Sequence, residues 1–434
     1  MDLLYANDKN GQYPPSWYAA TAAPLAPFSP LAEDTQADVC VIGAGYTGLS
    51  AALHLAQAGR RVVLLEAQRV GFGASGRNGG QLGSGQRVDQ EDLEVMVGFE
   101  KARTFWQMGQ EAKSLVKSLI AEHHIDCHLK PGIAWTASRD RDVKHLHEYA
   151  EHLQTKYNYD QIAPLSAEAC HSICPSPDYK GGVLDMGGAH LHPLAYVLGL
   201  AKAADAAGVI LHEQSRATEI IQGRKVSVRT ATGTVTADHV VLACNGYLSD
   251  LAPSVTARVM PINNFIVATE PLGARSQEVL TRDIAVADSR FVVNYFRLSH
   301  DGRLLFGGGE SYGYKFPADI AATVRKPMEI VFPHLKDVRV DYAWGGTLGI
   351  TMKRFPYLAR VAPNILSASG YSGHGVGTAT HAGMLMAQAI TGDDDGFDTM
   401  RLIPTPAFPG GGALRTPLLI LAMTWYALRD RLGV

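Results

Sequence analysis

The stretch DVCVIGAGYTGLSAALHLAQAGRRVVLLE, residues 38–66, determines how the chain begins to fold. Its opening DVCVIG predicts a short buried strand. The following YTGLSAALHLAQAG has apolar residues at helical spacing and ends at a glycine, and RRVVLLE predicts a second strand. Together the three segments predict one β–α–β unit of a parallel α/β sheet.

Three glycines and one acid in this unit predict a dinucleotide site. Gly43, Gly45 and Gly48 follow the first strand directly, and Glu66 closes the second strand. The glycines permit a tight turn, close approach of a pyrophosphate and close packing of helix on strand, while the helix N terminus favours the negative charge. Glu66 can accept hydrogen bonds from ribose hydroxyls and disfavours a 2′-phosphate, so NADP is the poorest candidate. NAD and FAD share this fingerprint.

A second glycine-rich run, GFGASGRNGGQLGSG at residues 71–85, favours FAD over NAD. It is too long for a simple βα loop. Ser75, Arg77 and Asn78 offer hydrogen-bond donors, and Gly79 and Gly80 would let the backbone lie against a planar ring. The alternative is a mobile glycine loop at a domain edge.

Composition restricts the class of protein. The 434 residues are 46% hydrophobic and 19% charged, with a net charge of −3, which predicts a globular α/β protein of two domains and argues against nucleic acid as a partner. The five cysteines form no CxxC pair and are odd in number, so we expect a reducing cytoplasm. His123, His124, Cys127 and His128 are crowded without a recognised metal-ligand spacing, and we expect no metal site.

Periodicity predicts the remaining organisation. Residues 90–127 and 140–157 indicate amphipathic helices, 195–213 a helix, turn and strand, and 226–246 a hairpin followed by an apolar strand. Short strands and turns predominate over 255–350. The predicted divisions are an N-terminal arm (1–36), a first FAD-binding segment (37–90), a mixed helical and substrate-domain segment (91–180), a second FAD-binding segment (181–254), the substrate domain (255–350), a third FAD-binding segment (351–412) and a C-terminal apolar helix (413–434).

The motifs GAGYTG, ASGRNGGQ and GYSGHGVG, at residues 43–48, 74–81 and 370–377, resemble those of FAD-dependent amine oxidases of the D-amino-acid oxidase and glycine oxidase superfamily. ASGRNGGQ and the closing FPGGGALRTPLLILAMTWYALRDRL are more narrowly similar to γ-glutamylputrescine oxidases. The resemblance implies a glutathione-reductase-type, Rossmann-like FAD domain with an interleaved antiparallel-sheet substrate domain. It also implies non-covalent FAD, because sarcosine oxidases attach flavin through a cysteine in the C-terminal half, and this chain has none after Cys244.

The resemblance and the glycine motifs together suggest which residues contact the cofactor. They are Gly43, Gly45, Tyr46, Thr47, Gly48, Glu66, Ala67, Ser75, Gly76, Arg77, Asn78, Gly79, Gly80, Gln81, Ala217, Gly246, Gly370, Gly373, His374, Gly375 and Val376. Ala217 would offer its backbone to the adenine, and the helix after His374 would stabilise negative charge on reduced flavin. His374 has two interpretations, a donor near the flavin or a residue that satisfies a turn.

No second nucleotide fingerprint is found, so the substrate itself must deliver hydride to flavin N5. Aromatic and cationic residues would position a small amine: Tyr295 as a catalytic candidate beside His374, and Arg297, Trp344 and Arg354 for substrate, with an Arg for the γ-glutamyl carboxylate. Each of Tyr295, Arg297 and Trp344 also has a purely structural interpretation. The expected products are an imine, then aldehyde and ammonia.

Three functions stay open on the sequence. The first is a γ-glutamylpolyamine oxidase that reduces dioxygen to hydrogen peroxide. The second is a D-amino-acid or sarcosine-type dehydrogenase that passes electrons to a carrier, and the third is a non-catalytic flavin-binding subunit. The apolar segment 417–428 is too short to span a bilayer but could dock on a membrane surface, a partner or its own core.

Overall fold

The computed structural model describes residues 2–311 and 313–409, and the predicted C-terminal helix at 413–434 lies outside them. The helices in these residues are α1 Trp17–Thr21, α2 Tyr46–Gln57, α3 Gln90–Val97, α4 Phe99–Glu122, α5 Asp140–Tyr157, α6 Ala167–Ile173, α7 Pro193–Ala206, α8 Pro253–Thr256, α9 Ile320–Val331, α10 Gly375–Thr391 and α11 Asp395–Met400. The strands are β1 Thr35–Ile42, β2 Val62–Leu65, β3 Gln81–Leu82, β4 Lys130–Ala137, β5 Ile162–Leu165, β6 Gly181–His190, β7 Ile210–His212, β8 Glu219–Ile221, β9 Val226–Arg229, β10 Thr234–Leu242, β11 Met260–Thr269, β12 Ala285–Asp288, β13 Tyr295–Leu298, β14 Leu304–Ser311, β15 Val340–Ile350, β16 Tyr357–Ala362 and β17 Ile365–Ser369.

The first sheet is the predicted Rossmann-like sheet. Its order is β16-β17-β10-β1-β2-β7, and β1 pairs in parallel with both β2 and β10. The apolar strand β10 also pairs with β9 as the predicted hairpin. Because β1, β10 and β17 come from three distant regions of the chain, the sheet is assembled across the interruption that the sequence indicated. The predicted fold class is confirmed.

The second sheet has the order β15-β11-β14-β13-β12-β4-β6-β3, with β5 beside β6. It is antiparallel apart from the parallel pair β4–β12. Residues 181–190, which the sequence assigns to the FAD-binding domain, form β6 of this second sheet instead. Only Leu191 and His192 separate β6 from α7, so no turn signal marks the passage between sheets.

Helix α9 corrects a second expectation, because the sequence predicts strands and turns over 255–350. The side chain of Asp319 caps this helix by accepting the N–H of Ala322, and Val324, Met328 and Val331 are buried at helical spacing. Pro327 lies inside the helix and hides the pattern.

The predicted N-terminal arm, residues 1–36, contains a short helix. Ser16 caps α1 through its hydroxyl, and both Trp17 and Tyr18 are buried. The Trp17 indole donates a hydrogen bond to Asp301 in the turn that follows β13. The arm thus packs on the body of the protein. Strand β1 starts at Thr35, three residues before the predicted start at Asp38 and so within the predicted arm.

A membrane span is not found within residues 2–311 and 313–409, where each helix is too short or too polar to cross a bilayer.

Candidate active site

A cavity of about 510 Å³ lies between the two sheets. This volume falls within the range of about 300–1,000 Å³ that is usual for small-molecule sites. One end is lined by the first sheet and by the N termini of α2 and α10, and the other by residues of β4, β11, β13 and β15. The loop 71–85 contributes to its wall over much of its length.

The turn from β1 to α2 is tightly packed. Gly43 has φ +108°, and its N–H donates to the carbonyl of Leu65 at 2.8 Å. A Cβ on Gly48 would stand 1.8 Å from the Gly43 carbonyl oxygen. The first glycine therefore serves the turn and the third serves helix–strand packing, as their spacing predicts.

The N terminus of α2 is open toward the cavity. Gly45 is the N-cap residue, so no side chain caps the helix, and the first turn contains no acid. The Tyr46 N–H donates to the Ser75 hydroxyl at 3.0 Å, which ties loop 71–85 to the helix. Such a terminus presents free N–H groups and positive partial charge to an anionic group.

Glu66 lies beside this helix terminus and is held by two backbone N–H groups. Its two carboxyl oxygens accept hydrogen bonds from Ala44 and Gln68, both at 2.8 Å. Burial raises the pKa of Glu66 to about 7, although these hydrogen bonds oppose the shift. Ala67 and Ala217 line the adjoining wall. Ala217 lies in the loop between β7 and β8.

The second helix terminus belongs to α10. His374 is its N-cap residue without a side-chain cap bond, and Gly373, Gly375 and Val376 line the cavity with it. Burial and, to a smaller extent, the charge of the neighbouring Arg87 lower the pKa of His374 to about 4, so the ring is neutral at pH 7. A hydrogen bond of 2.7 Å between the hydroxyls of Thr47 and Tyr371 joins the two helix mouths.

The far end of the cavity is built from side chains. Tyr295 donates its hydroxyl to Asn264 Oδ1 at 2.5 Å. Its ring lies under loop 71–85, where a Cβ on Gly79 would come within 2.7 Å of it. Arg354 also lines this region of the cavity. Tyr295 and Arg354, two of the residues predicted around the substrate, are thus brought into one cavity with His374.

Arg297 and Trp344 do not line the cavity. Arg297 is buried and donates to the carbonyls of Gly79, at 3.2 Å, and Leu191, at 3.0 Å. The Trp344 indole donates to the Arg77 carbonyl at 3.1 Å. Both side chains hold loop 71–85 in place through its backbone carbonyls. For both residues, the structure agrees with the structural role and not with substrate binding.

Arg77 and Asn78 of loop 71–85, which were expected to donate hydrogen bonds to the cofactor, instead donate to the protein. Both line the cavity, but the Arg77 guanidinium pairs with Asp8 at 2.8 Å and donates to two carbonyls. The Asn78 amide donates to the carbonyls of Ala74 and Ser75. These groups mainly hold the loop in shape. Of the other predicted contacts, Gln81 lines the cavity. The predicted contacts that do not line the cavity are Gly48, Gly76, Gly80, Gly246 and Gly370.

Several lining residues were missed by sequence reasoning. Arg87 and Glu310 bring charge to the cavity, and Trp135, Phe291 and Asn264 bring aromatic and amide groups. Arg87 follows the glycine run directly, and that proximity could have indicated it. The others lie on strands or loops whose meeting depends on the tertiary fold.

A metal centre has no support in the region of the chain that the structure describes, where no three His, Cys, Asp or Glu side chains are grouped to bind an ion.

The site has the features that a flavin dinucleotide requires. Two open helix termini face one cavity, a buried acid stands where ribose hydroxyls would need an acceptor, and the β1–α2 turn leaves no room for side chains. These groups suit a ligand with anionic phosphate, sugar hydroxyls and a planar head.

Comparisons with known proteins agree with this geometry. Residues 38–389 match the DAO family model, described as FAD dependent oxidoreductase. The chain is 43% identical to a Rhizobium meliloti protein described as probable oxidoreductase OrdL, over 96% of this chain and 97% of that one. It is 41% identical to gamma-glutamylputrescine oxidoreductase of Escherichia coli, over 96% and 99%.

The crystal structure of glycine oxidase from Geobacillus kaustophilus has the same fold, with a TM-score of 0.68 at 20% identity over 82% of this chain and 95% of that one. The chain therefore belongs to the DAO family of FAD dependent oxidoreductases, and FAD is its cofactor.

Proposed function

We propose that this enzyme oxidises a C–N bond of γ-glutamylputrescine or a related γ-glutamylpolyamine and passes the electrons to dioxygen, giving hydrogen peroxide. The observation that carries the proposal is the 41% identity, over nearly the whole chain, to a protein named gamma-glutamylputrescine oxidoreductase. The cavity supports it, since its lining combines aromatic side chains with arginines and so suits a ligand that has both an alkyl chain and an acid.

The cofactor would be held without a covalent bond. The α2 terminus would hold the pyrophosphate, Glu66 a ribose, and the α10 terminus the pyrimidine end of the ring system. Cys244 lines the cavity, but burial raises its pKa to about 12 and its thiol donates to the carbonyl of Ile42. A thiol in that state is a poor nucleophile, which supports non-covalent binding.

When bound, FAD supplies the two-electron oxidant. The chain itself would hold the amine-bearing carbon in place and keep water away, for which Tyr295 and Trp135 offer aromatic walls. An alkylammonium has a pKa near 10.4, and desolvation in such a cavity favours the neutral amine that can be oxidised. Because His374 is neutral, it adds no further positive charge beside Arg87. The imine then takes up water and yields an aldehyde and ammonia.

The proposal is tested with purified protein saturated with FAD. γ-Glutamylputrescine, putrescine, sarcosine and D-amino acids are mixed with it without oxygen, and loss of the flavin absorbance is recorded. Air is then admitted and peroxide is measured. We expect γ-glutamylputrescine to bleach the flavin fastest and to give one peroxide per aldehyde.

Other outcomes would separate the alternatives. Fastest bleaching by free D-amino acids or sarcosine would contradict the proposed substrate. Bleaching that is followed by slow reoxidation in air, without peroxide, would indicate a dehydrogenase that uses a carrier. A flavin that no amine reduces would favour a non-catalytic subunit.

A further inference from the structure

Two arginines line the wall of the cavity. Arg87 follows the glycine-rich loop, and Arg354 lies in the turn between β15 and β16. Burial is the main cause that lowers the pKa of Arg87, and the positive charge of Arg354 is the next. The sequence identified Arg354 as a candidate for substrate binding but did not identify Arg87.

Each of the two side chains contacts another residue of the cavity wall. The Arg87 Nε donates to the carbonyl of Ser372 at 3.2 Å, next to the α10 terminus. The guanidinium of Arg354 lies 6.0 Å from the centre of the Phe291 ring. The Arg354 backbone has φ +58°, a conformation that costs free energy for a residue with a side chain, and its N–H donates to Thr351.

Neither guanidinium forms an ion pair with a carboxylate of residues 2–311 or 313–409 within 4 Å. Other partly buried arginines of this chain do: Arg69 pairs with Glu213 at 2.8 Å, and Arg290 pairs with two aspartates. Glu310 lines the same cavity, and its charge raises the pKa of Arg87. Two neighbouring cations in a half-buried wall favour the binding of an anion between them.

We propose that Arg87 and Arg354 form a subsite for the α-carboxylate of the substrate's γ-glutamyl end. This inference rests on the proposed function and adds the residues that select an amino-acid-capped amine over an uncapped one. Two guanidinium forks can hold a carboxylate by paired hydrogen bonds, which a single ammonium group cannot reproduce. The other source of an anion is a phosphate of the cofactor, and the experiment must separate the two.

The test measures binding without turnover. γ-Glutamyl-n-butylamide lacks the oxidisable amine, and its dissociation constant for the FAD-loaded enzyme is measured by calorimetry. The comparison ligand is the same compound with its α-carboxylate converted to an amide. Variants are Arg87→Gln, Arg354→Gln and the charge-retaining Arg354→Lys. Lys353→Gln removes a charge from the same turn but lies outside the cavity lining, and is the matched control.

We expect each Gln variant to weaken binding of the carboxylate ligand by about 10- to 100-fold, as for loss of a charge-assisted hydrogen bond. Arg354→Lys should recover part of the loss, and Lys353→Gln should change little. All variants should bind the amidated ligand and FAD as the unaltered enzyme does. Arg354→Gly accepts the left-handed backbone without strain, so it provides a folded second variant with the same expected loss.

Two results would overturn the subsite. One is equal weakening for the carboxylate and amidated ligands, and the other is weaker FAD binding in the Gln variants, which would assign the pair to the cofactor. Failure of the proposed function looks different. In that case the carboxylate ligand binds in an Arg-dependent manner, but γ-glutamylputrescine does not bleach the flavin.

Discussion

The two ends of the cavity differ in the groups that line them, which are mainly backbone at one end and mainly side chains at the other. The end near Gly43 is made largely of backbone: a glycine turn, two helix termini and a carboxylate held by N–H groups. The end near Tyr295 is made of side chains from the second sheet and from the turns beside it. Backbone groups cannot be changed without changing the fold, whereas side chains can. The first end therefore suits a constant cofactor and the second a substrate that varies among relatives.

Gly48→Val should produce the largest effect. The added side chain would enter space already occupied by the Gly43 carbonyl oxygen, 1.8 Å from the position of its Cβ. We expect loss of more than about 3 kcal/mol of folding free energy, typical of severe overpacking. Urea denaturation monitored by circular dichroism measures it. A variant that unfolds like the unaltered protein and binds FAD would refute the backbone-built description.

Glu66→Gln should weaken FAD binding with a smaller effect on the fold. Both carboxyl oxygens now accept backbone N–H groups, so an amide must turn its NH₂ toward one of these donors. We expect about a 10- to 100-fold loss of affinity, because a neutral amide is a weaker acceptor than a carboxylate for the ribose hydroxyls. Fluorescence titration of the apoprotein with FAD checks this. Unchanged affinity would mean that Glu66 serves only the loop.

His192 provides a measurement of the scaffold outside the cavity. Its Nδ1 accepts the N–H of Ala195, and burial lowers its pKa to about 3, while an unfolded histidine has a pKa near 6.5. The unfolded state therefore binds more protons between pH 6.5 and 3, so stability from this group is present above pH 6.5 and falls as pH decreases. At pH 5, this titration of His192 should lower the free energy of unfolding by about 2 kcal/mol.

His192→Asn keeps an N-cap acceptor but removes the titration. We expect a smaller loss of unfolding free energy between pH 7 and pH 5 than in the unaltered protein. An equal loss in both proteins would show that other groups, such as the buried His190, cause the acid sensitivity.

Tyr295→Phe should have the smallest effect. It removes the hydroxyl that donates to Asn264 but leaves the ring that supports Gly79. We expect a two- to ten-fold change in kcat/KM, from about 0.5–1.5 kcal/mol for one hydrogen bond, with the flavin content unchanged. Steady-state kinetics with γ-glutamylputrescine measures it, and Tyr295→Ala, which removes the ring as well, is the control for the packing contribution.

The backbone-built end was the more predictable from sequence. The β1–α2–β2 unit, the three glycines and Glu66 occur within 32 consecutive residues, so local spacing describes their geometry. The side-chain end was predicted incompletely, because Tyr295 and Arg354 line it but Arg297 and Trp344 do not. Arg297 meets the Gly79 carbonyl across 218 residues of sequence. No local pattern records such a contact, and a buried arginine and a ligand-binding arginine look alike in a sequence.

The strand order of the first sheet has a consequence for how the protein is made. Strand β1 leaves the ribosome early, yet one of its neighbours is β10, which in turn pairs with β17. During synthesis, one edge of β1 therefore lacks its hydrogen-bonding partner until about 200 further residues have been made. In that interval the edge can mispair or bind chaperones. Ribosome-stalled chains should remain protease-sensitive around β1 until β10 has emerged, and protection at an earlier stage would contradict this.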